Sequence, residues 1–100
     1  MKKTTINNLS DPMNIAFMEA KKAFNKNEVP VGAVVTDING GILAKAYNLV
    51  ESKQDPTAHA EILAIKKATI ILKTKYLIGC SLYVTLEPCP MCAAAIQYSK

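Results

Sequence analysis

The chain has 100 residues, carries 12 basic against 8 acidic side chains for a net charge of +4, and is 50% hydrophobic and 20% charged. That length fits one domain, and that balance of apolar and charged residues excludes a chain disordered by composition. Apolar runs are short, as at Ile70-Ile71-Leu72, which excludes a transmembrane helix, and the stretch Met1 to Asn8 lacks the apolar core of a secretory signal.

Residues 1–10 are polar and are expected to be a flexible N-terminus, with a domain over 11–100. Asp11-Pro12 reads as a cap followed by proline at the first helical position. Met13, Ala16, Phe17, Ala20 and Phe24 then recur at helical spacing, predicting an amphipathic helix over 12–26. Val31 to Thr36 reads as a strand, Asn39-Gly40 as a hairpin turn and Ile42 to Tyr47 as the antiparallel return. Residues 49–57 form a polar loop ending in Asp55-Pro56-Thr57, where a second helix is expected to start and run to about residue 73. Ser81 to Leu86 is a third strand, apolar enough for burial on both faces, and Cys89 to Lys100 opens a third helix. The order α-β-β-α-β-α, with a crossover from the second strand through a helix to the third, predicts an α/β fold with a mixed sheet.

The charge adds little. All 12 basic residues are Lys, so a phosphate contact within this chain would use point charges and backbone amides, and their scatter reads as a solvated surface. A domain of this size buries roughly 65% of its unfolded surface, which is marginal without a metal or a partner.

The cysteines are Cys80, Cys89 and Cys92, an odd number that argues against a disulfide framework and for a reducing, cytoplasmic setting. Cys89 and Cys92 are spaced i, i+3 in the first turn of a helix, where both sulfurs can face one ion and the free amides favour thiolates. A zinc pair, a redox pair and two buried thiols all satisfy that spacing. His59 is the only histidine, and a lone His is commonly a packed or surface residue. Joined to Cys89 and Cys92 it makes three zinc ligands, leaving a fourth position open for water, the arrangement of catalytic zinc. Cys80 stands at the other end of the third strand, roughly 20 Å from Cys89, and reads as a buried small hydrophobe. Glu61 is either a favourable first-turn acid or, beside the metal, the group that moves the proton.

The runs His59-Ala60-Glu61 and Pro88-Cys89-Pro90-Met91-Cys92 resemble the signature of the zinc-dependent cytidine/deoxycytidylate deaminase superfamily. Within it, Glu28 to Val34, Tyr47-Asn48, Asp55 to Ile62 and Leu82 to Ala93 resemble the bacterial tRNA-specific adenosine deaminases, over nearly the whole chain after residue 10. Guanine deaminases of the same fold share the Pro-Thr-Ala-His-Ala-Glu and Glu-Pro-Cys-Pro-Met-Cys runs.

The resemblance implies a cytidine-deaminase-like three-layer α/β/α fold and one Zn2+ held by His59, Cys89 and Cys92. It implies hydrolytic deamination of adenosine to inosine at the wobble position of a tRNA anticodon loop, with Glu61 as catalytic residue. Asn48, Val31, the Ala60 backbone N–H and the strand end at Leu86 would hold the purine, although Asn48 also suits a turn at a strand end. A homodimer is implied as the working form. The family's domain continues beyond the cysteine-bearing helix into further strands and helices, so the resemblance implies a chain incomplete at its C-terminus, with the third strand left as an exposed edge. The alternatives are a non-catalytic remnant and a guanine or nucleoside deaminase.

Overall fold

The computed structural model of the chain describes residues 2–4, 12–85 and 90–99, with side chains over 12–85 and 94–99. Its elements in order are β1 (Lys2–Thr4), α1 (Pro12–Asn25), β2 (Gly32–Thr36), β3 (Ile42–Tyr47), α2 (Val50–Lys53), α3 (Ala60–Leu72), β4 (Ser81–Val84) and α4 (Pro90–Ser99). The strands form one sheet in the order β1-β4-β2-β3. β2 is antiparallel to both β3 and β4, and β1 is parallel to β4. The sheet is mixed and the fold is α/β. β3 and β4 run parallel, joined by the α3 crossover, with β2 between them.

The sheet separates two packing layers. Ala33 and Val35 of β2, Ala44 and Ala46 of β3, and Leu82 and Val84 of β4 point to one face, where Ala60, Ala64, Ile65 and Ala68 of α3 cover them. Ala95 and Ile96 of α4 pack against the same cluster. Val34 points to the other face, against Met13 and Ala16 of α1. Central strand β2 is buried along its whole length, as a strand covered on both faces must be.

Three expectations are corrected by tertiary packing. Lys2–Thr4 falls in the segment expected to be flexible, yet forms β1; residues 1 and 5–11, including the expected cap Asp11, lie outside the described residues. β4 is not an edge: β1 takes up the backbone groups on its outer side, and β1 and β3 are the edges. On α1, Phe17 and Phe24 are exposed, and the buried row is Met13, Ala16, Glu19, Ala20 and Ala23. The cause is Gly32, where an added Cβ would overlap the Ala16 carbonyl oxygen and stand 2.6 Å from the Ala20 nitrogen. The helix backbone lies directly on β2 at Ala16 and Ala20, so only small side chains fit at that contact and the rings turn outward. On α3 the same logic selects Ala60, Ala64 and Ala68, each fully buried, while Ile70, Ile71 and Leu72 overhang the sheet and are exposed.

Local chemistry sets the connections. The hairpin loop spans residues 37–41 and turns at Gly40, which alone there takes positive φ, at 87°. The Asp37 carboxylate accepts the N–H groups of Asn39 and Gly41. The polar loop contains the short helix α2, which the sequence pattern does not signal. Asp55-Pro56-Thr57 is a turn and not the start of α3, because the Asp55 carboxylate accepts both the N–H (2.9 Å) and the hydroxyl (2.7 Å) of Thr57.

Candidate active site

A ladder of backbone hydrogen bonds gathers the expected site residues at one end of the sheet. Thr85 N–H, just past β4, donates to Gly32 O at 3.1 Å, and Gly32 N–H donates to the Thr85 hydroxyl at 3.2 Å. Asn48 N–H, just past β3, donates to Val31 O at 3.1 Å. Leu49 N–H donates to Ala58 O at 2.9 Å, which ties the end of β3 to the residue before His59. Val31, Asn48, His59, Ala60 and Glu61 therefore converge beyond the carboxyl ends of β3 and β4, the place where open α/β sheets form ligand crevices.

His59 is the N-cap of α3, with extended backbone at φ −75° and ψ 149°. Its carbonyl accepts from Leu63 N–H at 3.0 Å, while its imidazole makes no capping bond to the helix. His59 therefore leaves the helix end as extended chain, and Glu61 sits in the first turn. Glu61 is 4% exposed, and among the described residues its carboxylate meets no hydrogen-bond or ion-pair partner. A buried acid without such a partner, at the positive end of a helix, has acceptor capacity that a water, an ion or a substrate could fill. Ala60 is fully buried and Asn48 is 6% exposed. Val31 is half-buried at the start of β2.

Cys92 lies in the first turn of α4, and its side chain is outside the described ones; Cys89 and Leu86 lie outside the described residues altogether. Among the described residues no group of three His, Cys, Asp or Glu side chains could hold a metal. The imidazole of His59 with the two thiols is a nitrogen–sulfur donor set suited to zinc. The Glu61 carboxylate beside His59, without a partner among the described residues, also suits a site with a metal and a water. α4 packs beside α3 on one face of the sheet, and Ser99 O at its far end accepts from Leu77 N–H at 2.7 Å. Cys80 is 3% exposed inside the α3-side core, and burial pushes its thiol pKa up. It is a core residue.

Glu28 entered the sequence reading only as the start of a matched run. It is 5% exposed. One carboxylate oxygen accepts Glu51 N–H at 3.0 Å and lies 3.5 Å from the Asn48 amide nitrogen. The other accepts Ser52 N–H at 2.6 Å and the Ser52 hydroxyl at 2.5 Å. The Ser52 hydroxyl and the two N–H groups hold this carboxyl below the ordinary range against the opposing effect of burial. Nothing local announces that role, because its partners lie 20 to 24 residues away. At the rim, the Lys26 ammonium stands 5.5 Å from the centre of the Tyr47 ring.

The family model of the cytidine and deoxycytidylate deaminase zinc-binding region matches residues 6–100. Over 88 residues the chain is 58% identical to a tRNA-specific adenosine deaminase of Aquifex aeolicus (strain VF5), covering 88% of this chain and 58% of that protein. A solved chain from structural studies of A-to-I editing by tRNA:A34 deaminases at the wobble position of transfer RNA superposes with a TM-score of 0.84 at 46% identity. That match covers 87% of this chain and 62% of the other. The guanine deaminase of Bacillus subtilis superposes with a TM-score of 0.86 at 38% identity, covering 95% and 60%. The chain thus spans about three fifths of the length of each.

Proposed function

Because the chain belongs to the family of the cytidine and deoxycytidylate deaminase zinc-binding region, we propose that it deaminates adenosine to inosine at the wobble position of a tRNA anticodon. The observation that carries this reading is the Glu61 carboxylate, buried and without a partner among the described residues, next to His59 at the sheet end that also holds Asn48 and Val31. The 58% identity to a tRNA-specific adenosine deaminase supports adenosine in tRNA as the substrate.

In this reading His59, Cys89 and Cys92 hold one zinc ion. Zinc held there would lower the pKa of a water toward neutrality. Glu61 is placed to take a proton from the attacking water and to return it to the exocyclic nitrogen. A C–O bond forms at C6 of the adenine, the C6–N6 bond breaks, ammonia leaves and inosine remains. The Ala60 N–H and the Asn48 amide hold the edge of the base, Val31 supplies an apolar wall, and the strand end at Leu86 completes the pocket. Burial of Glu61 and Ala60 keeps bulk water from competing for these polar groups. The anticodon loop is the partner, a homodimer in the cytoplasm is the working form, and among the described residues no helix is long and apolar enough to cross a membrane.

The test is incubation of the zinc-loaded chain with an anticodon stem-loop bearing a wobble adenosine. Inosine is expected, with a loss of about 100-fold or more on Glu61→Gln. A folded, zinc-loaded chain that forms no inosine would overturn the reading. The TM-score of 0.86 to a guanine deaminase favours a second reading, a free-base deaminase of the same chemistry. Release of ammonia from guanine but not from the stem-loop would select it.

A further inference from the structure

We propose that Glu28 is a positioning residue that acts on substrate through Asn48; this inference rests on the role given to Asn48 above. Glu28 lies on the segment between α1 and β2, and its carboxylate reaches into the polar loop after β3. Four donors meet its two oxygens: the N–H groups of Glu51 and Ser52, the Ser52 hydroxyl and the Asn48 amide. A carboxylate has roughly four lone-pair sites, so this one is saturated and has no capacity left for proton transfer.

The saturation orders Asn48. An ionised carboxylate only accepts hydrogen bonds, so the amide nitrogen of Asn48 faces Glu28 and its carbonyl oxygen faces away. The 3.5 Å separation is at the long limit of a hydrogen bond, but the charge on Glu28 still opposes the flipped amide. The backbone of Asn48 is fixed independently by its bond to Val31. Side chain and main chain are thus held from two sides, and the side chain is 6% exposed. Asn48 is left with one N–H and its carbonyl oxygen in a fixed direction.

Glu28 also secures the loop. Leu49, the N-cap of α2, makes no side-chain cap, and Glu28 takes the helix-start amides in its place. One carboxylate therefore couples the stretch before β2, the amide of Asn48 and the loop that leads to His59.

The experiment is a double-mutant cycle with Glu28→Gln and Asn48→Ala in the zinc-loaded full chain, read by kcat and KM on the stem-loop. Gln replaces one acceptor with a donor and lets the Asn48 amide turn over. Glu28→Gln is expected to lower kcat/KM about tenfold, mainly through KM. In the Asn48→Ala background the same change should cost less than about twofold. Equal losses in both backgrounds would show that Glu28 serves stability alone and would overturn the proposal.

A second measurement does not need turnover. In the labelled protein one Asn48 side-chain amide proton should lie downfield and exchange slowly with water, and should lose both properties in Glu28→Gln. Glu28→Asp keeps the charge but retracts it by one methylene, and should have the same effect if the Gln variant does not fold. Ser52→Ala should leave that proton in place. An Asn48 amide unmoved by either Glu28 variant would overturn the proposal. Absence of inosine from the wild-type chain would count against the deaminase reading alone, and the amide spectrum then decides the role of Glu28.

Discussion

Leu49 donates its backbone N–H to the carbonyl oxygen of Ala58 at 2.9 Å, so the chain leaving β3 is pinned to the chain approaching α3. Asn48 and His59 flank this bond on its two sides. A change in the loop between them moves the proposed substrate amide and the proposed zinc imidazole together. The loop is braced internally by the Asp55–Thr57 pair and at its start by Glu28. Bracing of this kind lets a site in loops hold the geometry that catalysis requires.

Removal of zinc is expected to cost stability as well as activity. The proposed ligands His59 and Cys92 stand at the starts of α3 and α4, so a bound ion would tie the two helices together. At free zinc about a thousandfold above its dissociation constant, binding adds about 4 kcal/mol. A strong chelator should lower the melting temperature, and added zinc should restore it. His59→Ala and Cys92→Ser should purify with less than stoichiometric zinc by elemental analysis. A melting temperature indifferent to chelator would refute the metal site.

Gly32→Ala should destabilise the fold by about 3 kcal/mol, the upper part of the range for overpacking. Its Cβ would stand 2.6 Å from the Ala20 nitrogen and 2.9 Å from the Glu19 Cβ, and both neighbours belong to the rigid helix α1. Chemical denaturation reads this directly. Gly40→Ala is a useful contrast: nothing lies within 4 Å of its Cβ, so its cost comes only from φ of 87°.

Leu82→Ala should cost about 2–5 kcal/mol, since Leu82 on β4 is fully buried in the core between the sheet and α3 and leaves a cavity when truncated. Truncating Ile70, which is 74% exposed on the same helix layer, should change stability by less than about 0.5 kcal/mol. Denaturation midpoints of the two variants compare the expectations.

Acid should weaken the protein through two carboxylates. Asp55 is held below its ordinary pKa by the Thr57 hydroxyl and then the Thr57 N–H, and Glu28 by the Ser52 hydroxyl and nearby amides. A group whose folded pKa is depressed adds stability that is fully present above its unfolded pKa. That value is about 3.9 for Asp and 4.3 for Glu. The stability is lost as pH falls through the lower folded value. Denaturation midpoints should hold from pH 7 to about 5 and decline below about 4. Thr57→Val removes one donor to Asp55, so its deficit against wild type should shrink as pH falls from about 5 to about 3. A deficit constant over that range would contradict the assignment.

Much of this molecule is written in short-range pattern. Helical spacing located α1 and α3, the run around Gly40 located the hairpin, and His59-Ala60-Glu61 with the Cys89 and Cys92 pair pointed to the deaminase family. Cys80 also read correctly as a core residue, from its distance along an extended strand. Each of these depends on a few neighbouring residues and on turn or helix geometry that they impose by themselves. The rest depends on backbones that meet from distant parts of the chain. Composition did not disclose that Lys2–Thr4 pairs with β4, that Gly32 draws α1 so close that Phe17 and Phe24 face solvent, or that His59 caps α3. Nor did any local signal mark Glu28, whose burial is tolerable only because donors from Ser52, Glu51 and Asn48 arrive with the folded loop. Hydrogen-bond pairing and close packing between remote segments create those environments, and no window of sequence contains both partners.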